Sequence, residues 1–315
     1  MILARRSHRQ TPPALADIYR QEFLQQLPLI QDGDYEAIHQ ARVTTRRLRE
    51  ALPLLVHHDE DAVTSALATA KQLGKALGVP RELDVLADVL SNFERRLPAT
   101  AAVTSTARAA LRPEQLQARR ELVKKLDRTD LNELDVATRP GAGPRFRLDP
   151  AASWRRLLWL RLGMLGGGVH DAVRHATGVY FPNRSHALRI AVKKLRYAVE
   201  IADTTSLWRP PNVLSDLKRI QARLGELHDV QLVQDRLRDL AGEDLPERQV
   251  AALHAALEAE AERRHGQFLS RRNDLSQIAE ACRVAGERGA HRLRPSLVVS
   301  LLTGSRRITS PRSVA

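Results

Sequence analysis

A chain of 315 residues and 35.2 kDa can bury a full core without covalent staples. Its single cysteine, Cys282, excludes an internal disulfide framework and any cysteine-rich zinc site, and suits a reducing compartment. The composition, 43% hydrophobic and 28% charged, excludes a disordered chain, and 50 Lys and Arg against 37 Asp and Glu leave a formal charge of +13, which points to polyanionic partners: nucleic acid, an anionic membrane surface or a phosphate polymer.

Ala, Leu, Arg, Glu and Gln dominate and alternating β-branched runs are missing, so the chain reads as all-α. Helices are predicted at about 14–28, 34–56, 62–79, 82–97, 112–135, 150–176, 184–204, 211–226, 229–241 and 246–281. Start signals stand at Asp34, at Asp149-Pro150, and at Asn183 or Ser185. Breaks are predicted at Pro98, Pro113, Pro140 with Pro144, Pro182, Pro210-Pro211 and Pro246. The run Arg139 to Pro144 reads as a linker between two halves, and the tail from Thr303 has no periodicity. No signal-peptide h-region precedes the first helix, and the most apolar stretch, Leu157 to Val169, is too short and too glycine-rich to span a membrane. A cytoplasmic protein is expected.

The informative feature is an internal repeat. Residues 39–49 and 186–196 share the pattern H-x2-R-x3-[RK]-[RK]-L-R at an offset of 147. The same offset pairs Lys71 with Lys218, Leu77-Gly78 with Leu224-Gly225, Arg81-Glu82 with His228-Asp229, and Asp88 with Asp235. Two halves, each a helical bundle, related by a pseudo-twofold are the expected architecture. At about 100° per residue, His39, Arg42, Arg46 and Arg49 fall within an arc of roughly 80°, as do His186, Arg189, Lys193 and Arg196. Arg47 and Lys194 flank these arcs. Each stripe concentrates like charges that repel, and an anion relieves that repulsion. Lys71 and Lys75, and Lys218 and Arg223, stand on the following helix of each half. Lys and Arg give charge-assisted bonds to phosphate, bidentate for Arg, and the histidines can donate to it.

These motifs resemble the CHAD domain, a helical family named for its histidines. The resemblance is carried by His39, Arg42, Val43, Arg46 to Arg49, Leu77, Gly78 and Arg81 to Val85, and in the second half by His186, Arg189, Ile190, Lys193 to Tyr197, Leu224, Gly225, His228 and Asp229. It covers about residues 11–280, with halves at about 11–135 and 150–280 and a linker at about 136–149; residues 281–315 form an extension it does not explain. Glu82 stands where the family more often has Asp. The resemblance implies two four-helix bundles and a basic central surface that binds inorganic polyphosphate, without catalysis of its own and without a cofactor. The binding residues expected are His39, Arg42, Arg46, Arg47, Arg49, Lys71, Lys75, His186, Arg189, Lys193, Lys194, Arg196, Lys218 and Arg223. Association with polyphosphate granules would accord with this.

Two other readings stay open. The first is a binder of structured RNA or another nucleic-acid backbone, disfavoured by an aromatic content of 4% and by the absence of a base-reading motif. The second is a metal-dependent phosphohydrolase built on the pairs His58-Asp59, His170-Asp171 and His228-Asp229; the repeat disfavours it, because Arg81 matches His228 and arginine is not a metal ligand. Asp229 and Glu82 are expected to brace neighbouring cations. Gly166 to Gly168 lacks the residues of a phosphate loop and reads as a helix break or a close helix contact. The cluster Arg119, Arg120, Lys124 and Lys125 reads as a solvated face, the alternative being an extension of the basic surface through Arg120 and Lys124.

Overall fold

The computed structural model describes residues 10–55, 59–139, 150–176, 182–241 and 247–293. Eleven α-helices occupy them: α1 (Pro12–Gln31), α2 (Tyr35–Ala51), α3 (Glu60–Ala76), α4 (Gly78–Arg96), α5 (Ala101–Asp127), α6 (Asn132–Thr138), α7 (Pro150–Ala176), α8 (Pro182–Thr204), α9 (Val213–Ala241), α10 (Glu247–Leu269) and α11 (Arg272–Arg292). Two short 3₁₀ turns, Leu52–Leu54 and Pro98–Thr100, complete the order, and no strand occurs among the described residues. The fold is all-α, as the composition requires. Among the described residues no helix is long and apolar enough to cross a membrane. Asp149, His58, the run from Pro140 to Pro144, Pro246 and the tail from Thr303 lie outside the described residues.

Local sequence sets several boundaries. Asp34 caps α2 by accepting from the backbone N–H of Glu36 at 2.7 Å and of Ala37 at 3.3 Å. Asp59 does the same for α3 through the N–H of Ala62 at 2.9 Å. α8 begins at Pro182 itself, two residues before the predicted start at about 184, because a proline at the first helical position loses no hydrogen bond.

Several predicted boundaries are overturned. Pro113 does not break α5: Val103, Ala107 and Leu111 before it and Leu122 and Leu126 after it are buried, and this packing holds both segments in one helix. A proline in a helix interior costs about 3 kcal/mol, while each buried leucine contributes roughly 1.5–3 kcal/mol. α9 runs unbroken through residues 227 and 228, with Leu224, Leu227, Val230 and Val233 buried in succession. The last predicted helix is two, divided at Ser270-Arg271, and α11 continues past residue 280 with Cys282 buried. Val136 to Thr138, placed in the linker by sequence, belong to α6, where Ala137 is buried.

The apolar side chains form two clusters. One joins α1, α2, α3, the end of α5, α6, α7, α8, the start of α9 and α11 through Phe23, Leu48, Leu73, Leu158, Leu195 and Leu217. The other joins α4, the start of α5, the second part of α9 and α10 through Leu86, Leu90, Leu111, Val233 and Leu257. Each cluster takes residues from both halves of the sequence. α7 packs most extensively on α11. Their glycines make that approach possible: a Cβ at Gly166 would stand 2.6 Å from the Ala279 carbonyl oxygen, and one at Gly286 2.6 Å from the Trp159 carbonyl oxygen and the Gly163 Cα. Of the run, Gly166 serves the close helix contact, Gly167 and Gly168 have open space around them, and α7 does not break there.

Candidate functional site

α2 and α8 touch, which brings the two basic stripes face to face. The contact follows from the sequence of each helix. Ala37, Ile38, Ala41, Thr45 and Leu48 bury one side of α2, and Leu188, Val192, Leu195 and Val199 one side of α8. The charged positions between those rows are left along the seam.

Arg42 lies against the start of α4. Its Nη1 stands 2.7 Å from where a Cβ at Gly78 would be, so the glycine forms a seat for the guanidinium. Arg189 lies against the matching glycine, with Nε 4.0 Å from the Cβ position of Gly225. Arg49 passes Gly74 at 3.8 Å from its Cβ position. Gly78 opens α4, while Gly74 and Gly225 lie inside α3 and α9; a Cβ would crowd an arginine head at Gly78, and at the other two it would meet the arginine at ordinary contact distance.

The charges of the seam perturb one another. Burial, then Arg46 and Arg189, pull the Arg42 guanidinium down to about 10, against the opposing pull of Glu82. Burial lowers Arg189 as well, with Arg46 adding to the effect and Asp229 opposing it. Lys193 is pushed down to about 7 by burial and by Arg46, Arg189, Arg42 and Arg49. His186 is lowered by burial, Arg189 and Lys193. His228 on α9 falls to about 4 through burial, Arg189 and His186, despite its hydrogen bond with Gln231. The two histidines touch, Nδ1 to Nδ1 at 3.4 Å with ring centres 4.7 Å apart. Asp229 is the acid nearest in effect to Arg189, and burial raises its pKa in spite of Arg189, Arg81 and Arg264. Here cations outnumber the acids that could neutralise them, and the structure suppresses charge where no counter-ion is supplied.

The predicted residues therefore fall into separate groups. Arg42, Arg46, Arg49, His186, Arg189 and Lys193 line or border the seam, Arg49 being exposed, and His39 is half-buried on α2 three residues before Arg42. Lys71 and Lys218 are exposed at matching positions, each two turns before its glycine seat. Lys194 is exposed, about 100° around the helix from Lys193. Lys75 is exposed and faces a groove of about 980 Å³ between α3 and α5, which Lys124, Lys125 and Glu121 also line. Arg47 and Arg196 are committed elsewhere. The Arg47 guanidinium donates to Glu200 at 2.7 Å and lies 5.7 Å from the centre of the Tyr19 ring. Arg196 is buried, 3.5 Å from the same carboxylate and 3.9 Å from the Tyr197 ring centre. Arg223 points to the other side of α9, beside Asp216, Arg271 and Asp274.

Sequence reasoning left two participants out of the site. His228 is not among the expected binding residues, although its place after Leu224-Gly225, matched to Arg81 after Leu77-Gly78, is the signal that puts it by the seam. Arg81, its counterpart, lies over the Tyr35 ring at 4.8 Å, and the Tyr35 hydroxyl donates to Asp88 at 2.9 Å. Among the described residues no three His, Cys, Asp or Glu side chains converge on a metal position.

The model of the CHAD domain family matches residues 14–238. The chain belongs to the CHAD family. Its fold is similar to the crystal structure of the CHAD domain from the plant Ricinus communis, at 21% identity and a TM-score of 0.53 over 90% of this chain and 91% of the other. It is also similar to PptA from Streptomyces chartreusis, at 16% identity and a TM-score of 0.51 over 89% of this chain and 98% of that one. At these identities the likeness is one of fold. It reaches beyond the residues of the family match into α10 and α11, since residues up to 238 cannot supply 90% of the chain. No curated protein matches the chain.

Proposed function

We propose that this CHAD protein binds inorganic polyphosphate along the seam between α2 and α8, without cleaving it. The observation that carries the reading is the meeting of two segments 147 residues apart in sequence, which assembles Arg42, Arg46, Arg189 and Lys193 so closely that a lysine amine is pushed down to about 7. Folding against such repulsion is costly, and a polyanion removes the cost. A phosphate polymer meets the need best because its oxygens are unencumbered by sugar and base, and Arg can take them in pairs. Exposed Lys71 and Lys218 extend the track at either end. In this account Arg47 and Arg196 are braces that tie α2 to α8 through Glu200, and Arg223 has no direct contact with polymer.

The internal duplication is part of the proposal. Arg42 on Gly78 and Arg189 by Gly225 repeat one device at the offset of the sequence repeat. The working unit is proposed to extend through α11, because its glycines pack on α7 and α7 packs on α8.

The test neutralises each stripe in turn: Arg42→Ala with Arg46→Ala, and Arg189→Ala with Lys193→Ala. Each double variant removes two charge-assisted contacts, of about 1.5–3 kcal/mol each at most, and should weaken long-chain polyphosphate binding about 10- to 100-fold. A long chain bridges both stripes, so it should lose more than a short phosphate oligomer does. If the second pair leaves binding untouched while the first abolishes it, the two stripes are not one site. Phosphate released from the polymer in the presence of Mg²⁺ or Mn²⁺ would overturn the non-catalytic part.

A further inference from the structure

Lys193 and Lys194 are neighbours on α8 and opposites in environment. Lys194 is exposed, whereas Lys193 is half-buried against α2. Across the contact of α2 with α8 lies the arginine stripe of α2, Arg42, Arg46 and Arg49, and Arg189 stands one turn earlier on α8 itself, with Arg42 seated at Gly78 and Arg189 beside Gly225; these cations act most strongly on the Lys193 amine. His186, two turns earlier, and His228 from α9 also feel it. Asp229 of α9 and Glu82 of α4 are engaged with Arg189 and Arg42 instead.

An amine desolvated among fixed cations sheds its proton near neutral pH and becomes a nucleophile. The same cations present guanidinium forks, which hold phosphate oxygens. A nucleophilic amine beside a phosphate cradle is suited to an electrophile that carries its own phosphate. The geometry points to Lys193 as a site of N-acylation by small acyl phosphates, the mixed anhydrides of a carboxylic acid and phosphoric acid. The neutral Nζ attacks the acyl carbon and forms a C–N bond. The C–O bond to phosphate breaks, inorganic phosphate leaves among the arginines, and the Nζ proton passes to solvent. The product is an uncharged amide. If the seam holds polyphosphate as proposed above, acylation removes one of its cations and weakens that binding, but the chemistry at Lys193 does not depend on the polymer.

The experiment incubates the full chain with acetyl phosphate between pH 6 and 10 and follows each lysine by peptide mass mapping. Lys194 is the internal control, so no variant has to fold. An ordinary lysine is neutral in about one molecule in a thousand at pH 7.5. Lys193 should therefore acetylate at least about tenfold faster than Lys194 at that pH, even allowing for the weaker nucleophilicity of a less basic amine. Its rate should level off above about pH 8, while the exposed lysines keep accelerating to pH 10. With the uncharged donor p-nitrophenyl acetate the preference should shrink, and Arg46→Gln should slow Lys193 towards acetyl phosphate. Equal labelling of Lys193 and Lys194, or a Lys193 rate that climbs to pH 10, overturns the proposal. An undiminished preference with the uncharged donor overturns the part given to the arginines. Excess polyphosphate should protect Lys193; fast acetylation that the polymer does not slow would uphold the lysine chemistry and refute polyphosphate binding at the seam.

Discussion

Replacing Gly78 by alanine separates the seat of an arginine from the stability of the fold. The added Cβ would stand 2.7 Å from Arg42 Nη1, too close for both atoms, and the atom that can move is the end of a flexible side chain. The backbone at Gly78 needs no positive φ, which among the glycines with described conformations occurs at Gly33. Alanine is favoured over glycine in helices by up to about 1 kcal/mol, less at a first residue, so the melting temperature should hold or rise by a degree or two. The guanidinium, however, must leave its seat. A charge-assisted contact of about 1.5–3 kcal/mol sets the ceiling of the loss, and Arg42 keeps its charge after moving, so polyphosphate affinity should fall about three- to tenfold. Gly225→Ala is the matched control, because its Cβ would meet Arg189 Nε at an ordinary 4.0 Å and affinity should stay within about twofold. Fluorescence anisotropy with end-labelled long-chain polyphosphate, together with thermal unfolding of each variant, reads both quantities. Combining Gly78→Ala with Arg42→Ala should cost no more than Arg42→Ala alone, since both act on one contact. Unchanged binding in Gly78→Ala, beside weakened binding in Arg42→Ala, would refute the idea that the glycine positions the arginine.

Polyphosphate affinity at constant ionic strength should fall as pH rises from 6 to 8.5, because Lys193, held down to about 7, loses its charge in that window; affinity that rises with pH would contradict its place in the site. The stability of the free protein should carry the opposite sign: the unfolded chain binds the extra proton between about 7 and the ordinary lysine value of 10.5, so this group's contribution grows with pH over that range, as calorimetry can check. Glu200→Gln leaves Arg47 and Arg196 without their shared carboxylate and should destabilise by about 2–3 kcal/mol, a loss of at least a few degrees in melting temperature; an unchanged melting temperature would show that Glu200 is no brace. Gly286→Ala sets a Cβ against the backbone of α7 and should cost more than about 4 kcal/mol, whereas Gly167→Ala meets open space and should gain up to about 1 kcal/mol in chemical denaturation.

The parts of this protein legible in sequence are those set by local chemistry. Asp34 reads as a cap and is one, and the all-helical composition gives an all-helical chain. The repeat of His, Arg and Lys at helical spacing is legible because charge at fixed intervals needs no knowledge of the fold, and it marks the residues that meet at the seam. What sequence left hidden depends on the partner that each side chain finds. Arg47 and Arg196 belong to the motif as written, yet both turn to Glu200, whose role comes from the contact between α2 and α8. Arg223 follows the basic pattern but sits on the opposite side of α9. Pro113 looks like a break because the apolar contacts that hold α5 together come from both cores. Gly163, Gly166, Gly286 and Gly289 become intelligible once α7 and α11 are seen to touch.

The seam is expected to prefer a bare phosphate polymer to a nucleic acid of matched charge. A competition titration tests it most directly: labelled polyphosphate bound to the full chain at fixed salt and pH 7, displaced by unlabelled polyphosphate, structured RNA or single-stranded DNA of matched charge. Unlabelled polyphosphate is expected to displace the probe at least tenfold more effectively than either nucleic acid. With about six phosphates neutralised, log K should fall with log salt at a slope on the order of −4, taking the single-strand coefficient. Displacement by RNA at equal or lower concentration would contradict the account and make the protein a nucleic-acid backbone binder.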